Sequence, residues 1–184
     1  MADSKEVIEA KEKTNDRDYY LEVVKTNPTL IEWANESIRD DKEVFLTAIN
    51  SDGGVLEFAS DRLKSDKEVV LASVSKVGWT CCYASEKLKA DRDILMAACK
   101  VDGQALYFAS KELRDDKELV KIAVTNKPLI VKYASLRLRQ DEDIKKIVID
   151  SGVDAAKDFI WVLKPYFLNI YLKSEVFLWV IMKK

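Results

Sequence analysis

Six aspartates, Asp16, Asp41, Asp66, Asp91, Asp116 and Asp141, follow one another at intervals of 25 residues with no insertion between them. A fixed period of that size is the signature of a repeat architecture, in which each unit hides its apolar side against the next. Other columns keep the same register. Two places after each Asp stands an acid (Asp18, Glu43, Glu68, Asp93, Glu118, Asp143), and seventeen places after it five units carry an aromatic (Trp33, Phe58, Tyr83, Phe108, Tyr133). Each aromatic is followed by an alanine (Ala34, Ala59, Ala84, Ala109, Ala134), four of those by a serine (Ser60, Ser85, Ser110, Ser135). An aliphatic residue follows further on (Ile38, Leu63, Leu88, Leu113, Leu138, Leu163).

Within one unit, Asp66 suits a helix N-cap, and Glu68 lies in the first turn, where the helix dipole favours an acid. Val70, Leu71 and Val74 then give a first helix of about ten residues an apolar stripe. Gly53, Gly78 and Gly103 suit the residue just past a helix end, while Pro28 and Pro128, in the same column, suit the first turn of the next helix. Cys81, Ala84 and Leu88, with Tyr83 beside them, predict a second helix that closes on Lys89. Two such helices are too short to stand alone and must stack on neighbours. The expected fold is therefore all-α: an α-solenoid of six 25-residue helix-turn-helix repeats over residues 16–165. A polar tail or capping helix (1–15) would precede it, and an apolar cap or interface segment (166–184) would follow.

Composition agrees. With 5 Gly and 3 Pro in 184 residues, the chain has few sites for the turns of an all-β fold. His 0 excludes Ser-His and Cys-His dyads and His-ligated zinc. No phosphate loop, dinucleotide fingerprint, zinc-protease or calcium-loop spacing is present, so no catalytic residue, cofactor or metal is assigned. Asn35-Glu36-Ser37 fits a glycosylation sequon but falls in an expected helix. Cys81, Cys82 and Cys99 form no CxxC pair, and two of them are adjacent, which points to the cytoplasm or another reducing compartment. The N-terminus holds no apolar run of signal-peptide length. Phe159 to Met182 is apolar but interrupted by Lys164, Pro165, Asn169, Lys173 and Glu175, which argues against a membrane span.

The pattern resembles the family of domains of unknown function numbered 4116. The segments that carry the likeness are Asp66-Lys67-Glu68-Val69-Val70-Leu71-Ala72 with Gly78-Trp79, and Tyr107-Phe108-Ala109-Ser110 through Leu113-Arg114. The likeness covers about residues 16–141 and implies membership of tandem helical arrays. It implies no activity and carries no functional residue over. Pro28 and Pro128 depart from its usual Gly, and the sixth unit departs after Val153.

Columns that recur in every unit read as structural, because a repeat array needs the same contacts each time. Under that reading the serines beside the alanines allow close helix approach. The basic column Arg39, Lys64, Lys89, Arg114, Arg139 and Lys164 invites a nucleic-acid reading. Against it, each cation closes a helix two places before the next Asp or its equivalent position, and the net charge is only -2. The informative positions are those that vary, thirteen, sixteen and twenty places after each Asp, which would share one face of a second helix. Along the chain this face carries Glu32, Glu36, Glu57 and Asp61, then Trp79, Cys82 and Glu86, then Gln104, Tyr107 and Lys111, and last Leu129, Lys132 and Leu136. Trp79, Cys82, Tyr107, Leu129 and Leu136 are thus the candidate protein-binding residues, flanked by the acids Glu32 and Glu57. The function expected is a non-enzymatic interaction scaffold. The alternative is a structural subunit docked through Phe159, Trp161, Phe167, Phe177 and Trp179. A carboxylate enzyme would need two close, buried acids with raised pKa values.

Overall fold

The computed structural model describes residues 4–152, and among these every regular element is helical. A first helix, α1 (Lys5–Glu12), precedes the periodic part. Each aspartate of the 25-residue column then caps a longer helix: α2 (Arg17–Val23), α4 (Lys42–Ser51), α5 (Lys67–Val74), α7 (Arg92–Val101), α8 (Lys117–Asn126) and α10 (Glu142–Asp150). The capping is direct. Asp16 accepts from the Tyr19 N–H, Asp41 from those of Glu43 and Val44, Asp66 from those of Glu68 and Val69, and the rest follow suit. These bonds satisfy amide donors that the first turn of any helix leaves without partners.

The second half of each unit is not the single helix of about ten residues that Cys81, Ala84 and Leu88 suggest. It opens with six residues of 3-10 helix: Pro28–Trp33, Gly53–Phe58, Gly78–Tyr83, Gly103–Phe108 and Pro128–Tyr133. The alanine after each aromatic is extended, with ψ between 148° and 160°. One short turn follows, α-helical in α3 (Glu36–Arg39), α6 (Glu86–Lys89) and α9 (Leu136–Arg139), and 3-10 in Leu63–Ser65 and Leu113–Asp115. A reason for the break lies in the hydrogen bonds. With the alanine extended, the next N–H points at the preceding unit: Ser60 donates to the Arg39 carbonyl at 3.1 Å, Ser85 to Lys64 at 3.0 Å, Ser110 to Lys89 at 3.2 Å and Ser135 to Arg114 at 2.8 Å. Neighbouring units are thereby joined backbone to backbone, and the alanines at the joint are buried.

The serines do more than permit close approach. Ser60, Ser110 and Ser135 accept the N–H three residues on, and Asn35 does the same in the first unit, so this column caps the short turn. The sequon residue Asn35 is therefore engaged as a helix cap. Ser85 makes no such bond, and its buried hydroxyl has no partner.

The glycines also differ from expectation. None of Gly53, Gly78 and Gly103 has positive φ, so none is a left-handed helix terminator. Each instead opens a 3-10 segment, as Pro28 and Pro128 do. What demands glycine is the neighbouring helix: a Cβ at Gly78 would fall on the Ala98 carbonyl oxygen, and one at Gly103 on that of Ala123.

Packing runs in order. Each longer helix from α2 to α10 lies against the one 25 residues on, and the 3-10 segments likewise touch in succession. One continuous apolar core results, including Val44, Phe45, Val70, Leu95, Val120 and Ile144 from the longer helices and Ile38, Leu63, Leu88, Leu113 and Leu138 from the short turns. Each such side chain contributes about 1.5–3 kcal/mol by leaving water. Trp33, Phe58, Tyr83, Phe108 and Tyr133 of the aromatic column are half-buried, and the last four pack against this core from its edge. At the front, α1 lies on the first 3-10 segment and is held by a buried hydrogen bond of 3.1 Å from the Tyr20 hydroxyl to the Ala10 carbonyl. The second half of the sixth unit and segment 166–184, with Phe159, Trp161, Phe167, Phe177 and Trp179, lie outside the described residues.

Candidate protein-binding face

The charges at the helix starts form a relay that a column search by aspartate alone overlooks. The residue directly after each Asp is a cation in five units, and each bridges forward to both acids of the next. Lys42 lies 2.8 Å from Asp66 and 2.8 Å from Glu68. Lys67 meets Asp91 and Asp93, Arg17 meets Asp41 and Glu43, Arg92 meets Asp116 and Glu118, and Lys117 meets Asp141 and Asp143. In the sixth unit Glu142 takes the cation's place. Burial works to raise the pKa of Asp41, Asp66, Asp91 and Asp116, but the bonds from these cations and from helix amides outweigh it, and all four end below the ordinary range.

These acids are therefore not the ordinary exposed carboxylates that their position at a helix start suggests, nor do they serve the basic column two places before them. In that column Lys89 pairs with Glu86 at 2.9 Å, Arg114 donates to the Ala109 carbonyl at 3.0 Å, and the Arg39 and Arg139 Nε atoms are buried without a partner. Asp40 and Asp115 are each held by the serine and arginine of the following unit, which lower their pKa values: Ser60 and Arg62 for Asp40, Ser135 and Arg137 for Asp115. Among the described residues, every acid whose pKa departs from its ordinary value is lowered.

The candidate binding residues sit on the 3-10 segments and the short turns. Positions thirteen and sixteen places after the Asp fall three apart in a 3-10 helix, whose three-residue turn puts them one above the other. Trp79 and Cys82 are related in this way, as are Leu129 and Lys132. Position twenty follows the extended alanine and belongs to a separate element, so the single helical face inferred for the three columns is in fact built from two elements. All the same, Trp79 is 40% exposed, Tyr107 51%, Leu129 44% and Leu136 59%. Glu32 and Glu57 are exposed and Cys82 is half-buried.

Two aromatic contacts draw in side chains that periodicity assigned to packing. Trp79 meets Tyr83 edge-on with ring centroids 5.7 Å apart, and Tyr107 meets Tyr133 of the following unit at 4.7 Å. Tyr107 also lies 5.0 Å from Phe108. Tyr83 donates its hydroxyl to Glu57 of the preceding unit at 2.9 Å. Tyr83 and Tyr133 thus belong to this face, and the signal available in the sequence was their place next to the variable column. At the acidic end, a shallow depression is lined by Glu36, Ser37, Asp40, Ser60, Asp61 and Arg62.

Of the three thiols, all free, Cys81 and Cys99 are buried, which pushes each up to about 12. No helix among the described residues is long and apolar enough to cross a membrane.

A recurring unit of this kind, all-helical among the described residues, defines a tandem helical-repeat protein. The family model described as "Domain of unknown function (DUF4116)" matches residues 16–64, 41–88 and 66–114, three overlapping windows whose starts advance by 25 residues. The chain belongs to that family. Neither the curated proteins nor the solved structures contain a match to it.

Proposed function

We propose that the chain is an α-solenoid of six 25-residue units spanning residues 16–165, and that it works as a non-enzymatic scaffold. It binds a protein partner along the face made by the 3-10 segments. Trp79, Cys82, Tyr107, Leu129 and Leu136 form the apolar part of this face, with Tyr83 and Tyr133 beside them and Glu32 and Glu57 at the acidic end. The observation that carries the reading is the placement of Trp79, Tyr107, Leu129 and Leu136. Large apolar side chains left exposed near one another mark recognition surfaces, and aromatic residues are the usual anchors. Nothing in the packing requires these four positions to be apolar, since Thr29, Gly54 and Gln104 share a column with Trp79 and Leu129, Glu32 and Glu57 one with Tyr107, and Glu36 and Asp61 one with Leu136. Nucleic acid is disfavoured as the partner because acids dominate the first two units of this face.

Affinity capture from the native cell with the intact chain and with Trp79→Ala/Tyr107→Ala tests the reading. The double variant, folded by circular dichroism, loses the partners that the intact chain retains. Identical capture by both chains refutes it.

A further inference from the structure

We infer that this same face is self-complementary and seats a second copy of the chain, running antiparallel. The inference rests on the protein-binding reading above and names an occupant for the face. A two-fold axis lying in the plane of contact, at right angles to the row of units, reverses the order of the units while keeping each column opposite itself. With the axis at Gly78–Tyr83, the first unit faces the fifth and the second faces the fourth. Glu32 then stands opposite the partner's Lys132, and Glu57 opposite the partner's Tyr107. In the next exposed column, Asp61 stands opposite the partner's Lys111. Trp79 and Cys82 lie at the axis and supply the dry centre, where an aromatic contact counts most. Glu86 would meet its own copy there, but its carboxylate is already held by Lys89 at 2.9 Å.

The orientation follows from charge. In a parallel pairing the acids Glu32, Glu36, Glu57 and Asp61 would face one another, as would Lys111 and Lys132, and like charges across an interface are costly. Only the antiparallel order sets the acidic end against the basic one. Size is adequate but small. Five units spaced by about 8–10 Å give a row about 40 Å long. A 3-10 segment of six residues is about 12 Å wide. The resulting footprint of about 500 Å² per copy falls among the smaller, transient interfaces, so the association is expected to be weak and reversible.

Sedimentation velocity of the full chain over a concentration series, at low and high salt, tests the inference. A reversible dimer that weakens with salt is expected. Glu32→Lys/Asp61→Lys and Lys111→Glu/Lys132→Glu each place like charges across the seam. Each weakens self-association at least about tenfold. Mixing the two variants restores a dimer, because each then meets its opposite. All four positions are exposed, and circular dichroism checks that each variant is folded. A chain that stays monomeric throughout overturns the inference. So does a dimer insensitive to both reversals, or a mixture that fails to recover. The protein-binding reading is judged apart from this: if the chain is monomeric but its capture of a partner still requires Trp79 and Tyr107, the dimer falls and that reading stands.

Discussion

The Tyr83 hydroxyl donates to the Glu57 carboxylate across 2.9 Å, tying the third unit to the second at the edge of the exposed aromatic face. Burial first, and then this bond to an anion, push the Tyr83 pKa up to about 12, because ionising the phenol would set two negative charges side by side in a partly dry site. The difference in tyrosinate absorbance between the intact chain and Tyr83→Phe should therefore develop near pH 12, well above the ordinary value of about 10. Glu57→Gln should move that difference toward lower pH. A difference already complete near pH 10 in the intact chain would show that the bond is not made.

The cation relay makes a prediction about acid. Folded-state pKa values of Asp41, Asp66, Asp91 and Asp116 lie below the unfolded value of about 3.9, so their contribution to stability is fully present above about pH 5. It is lost as pH falls through the range between the unfolded and the lowered folded values. Lys67→Met removes one bridge, to Asp91 and Asp93. Because Lys67 is about half exposed, the loss at pH 7 should be small, at the low end of what surface ion pairs give. It should shrink as pH falls from the unfolded value of Asp91 through its lowered folded-state value. Asp91→Ala also removes the N-cap of α7 and should cost about 1 kcal/mol or more at neutral pH. Urea unfolding at pH 7 and pH 2.5 measures both effects. A Lys67→Met deficit that does not shrink at all between pH 7 and pH 2.5 would locate the effect in packing instead.

Close approach of helices predicts unequal glycines. Gly78→Ala and Gly103→Ala each drive a Cβ onto a backbone carbonyl of the next long helix, which cannot yield without moving the unit, so each should cost about 1–3 kcal/mol or more. Gly54→Ala meets only the flexible Asp52 side chain, at 3.1 Å, and should cost far less. Thermal unfolding of the three variants side by side decides it: equal losses would mean that backbone freedom, not space, is what glycine supplies.

The long helices were legible because the aspartate cap, the first-turn acid and the apolar stripe all point the same way in every unit. The second half of the unit was not, and the reason is local. Cys81, Ala84 and Leu88 obey helical spacing whether or not the chain is continuous, since a 3-10 segment, one extended residue and a short turn can bury the same three side chains. What breaks the helix at Ala84 is a bond from the Ser85 N–H to Lys64 in another unit, and a single unit read alone holds no trace of it. The same limit hid the role of Tyr83 and Tyr133: their column recurs, as structural columns do, yet their partners Glu57 and Tyr107 lie 26 residues back. The cation column was in plain sight, but the acids it serves stand one unit further on.

Thiol chemistry offers a last test that also bears on the second copy. Burial pushes Cys81 and Cys99 up to about 12, which leaves a thiolate fraction of about one in ten thousand at pH 8. Cys82, half-buried on the exposed face, is raised by burial as well, while Lys89 works to lower it. With a neutral disulfide reagent under native conditions, one thiol should therefore react ahead of two others that wait for unfolding, and Cys82→Ser should remove the early phase. Because Cys82 falls at the axis of the antiparallel pair, that phase should slow as protein concentration rises, and Lys111→Glu/Lys132→Glu should abolish the slowing. An early phase independent of concentration would leave Cys82 uncovered and count against the seam, while an early phase from Cys81 or Cys99 would contradict the packing of the core itself.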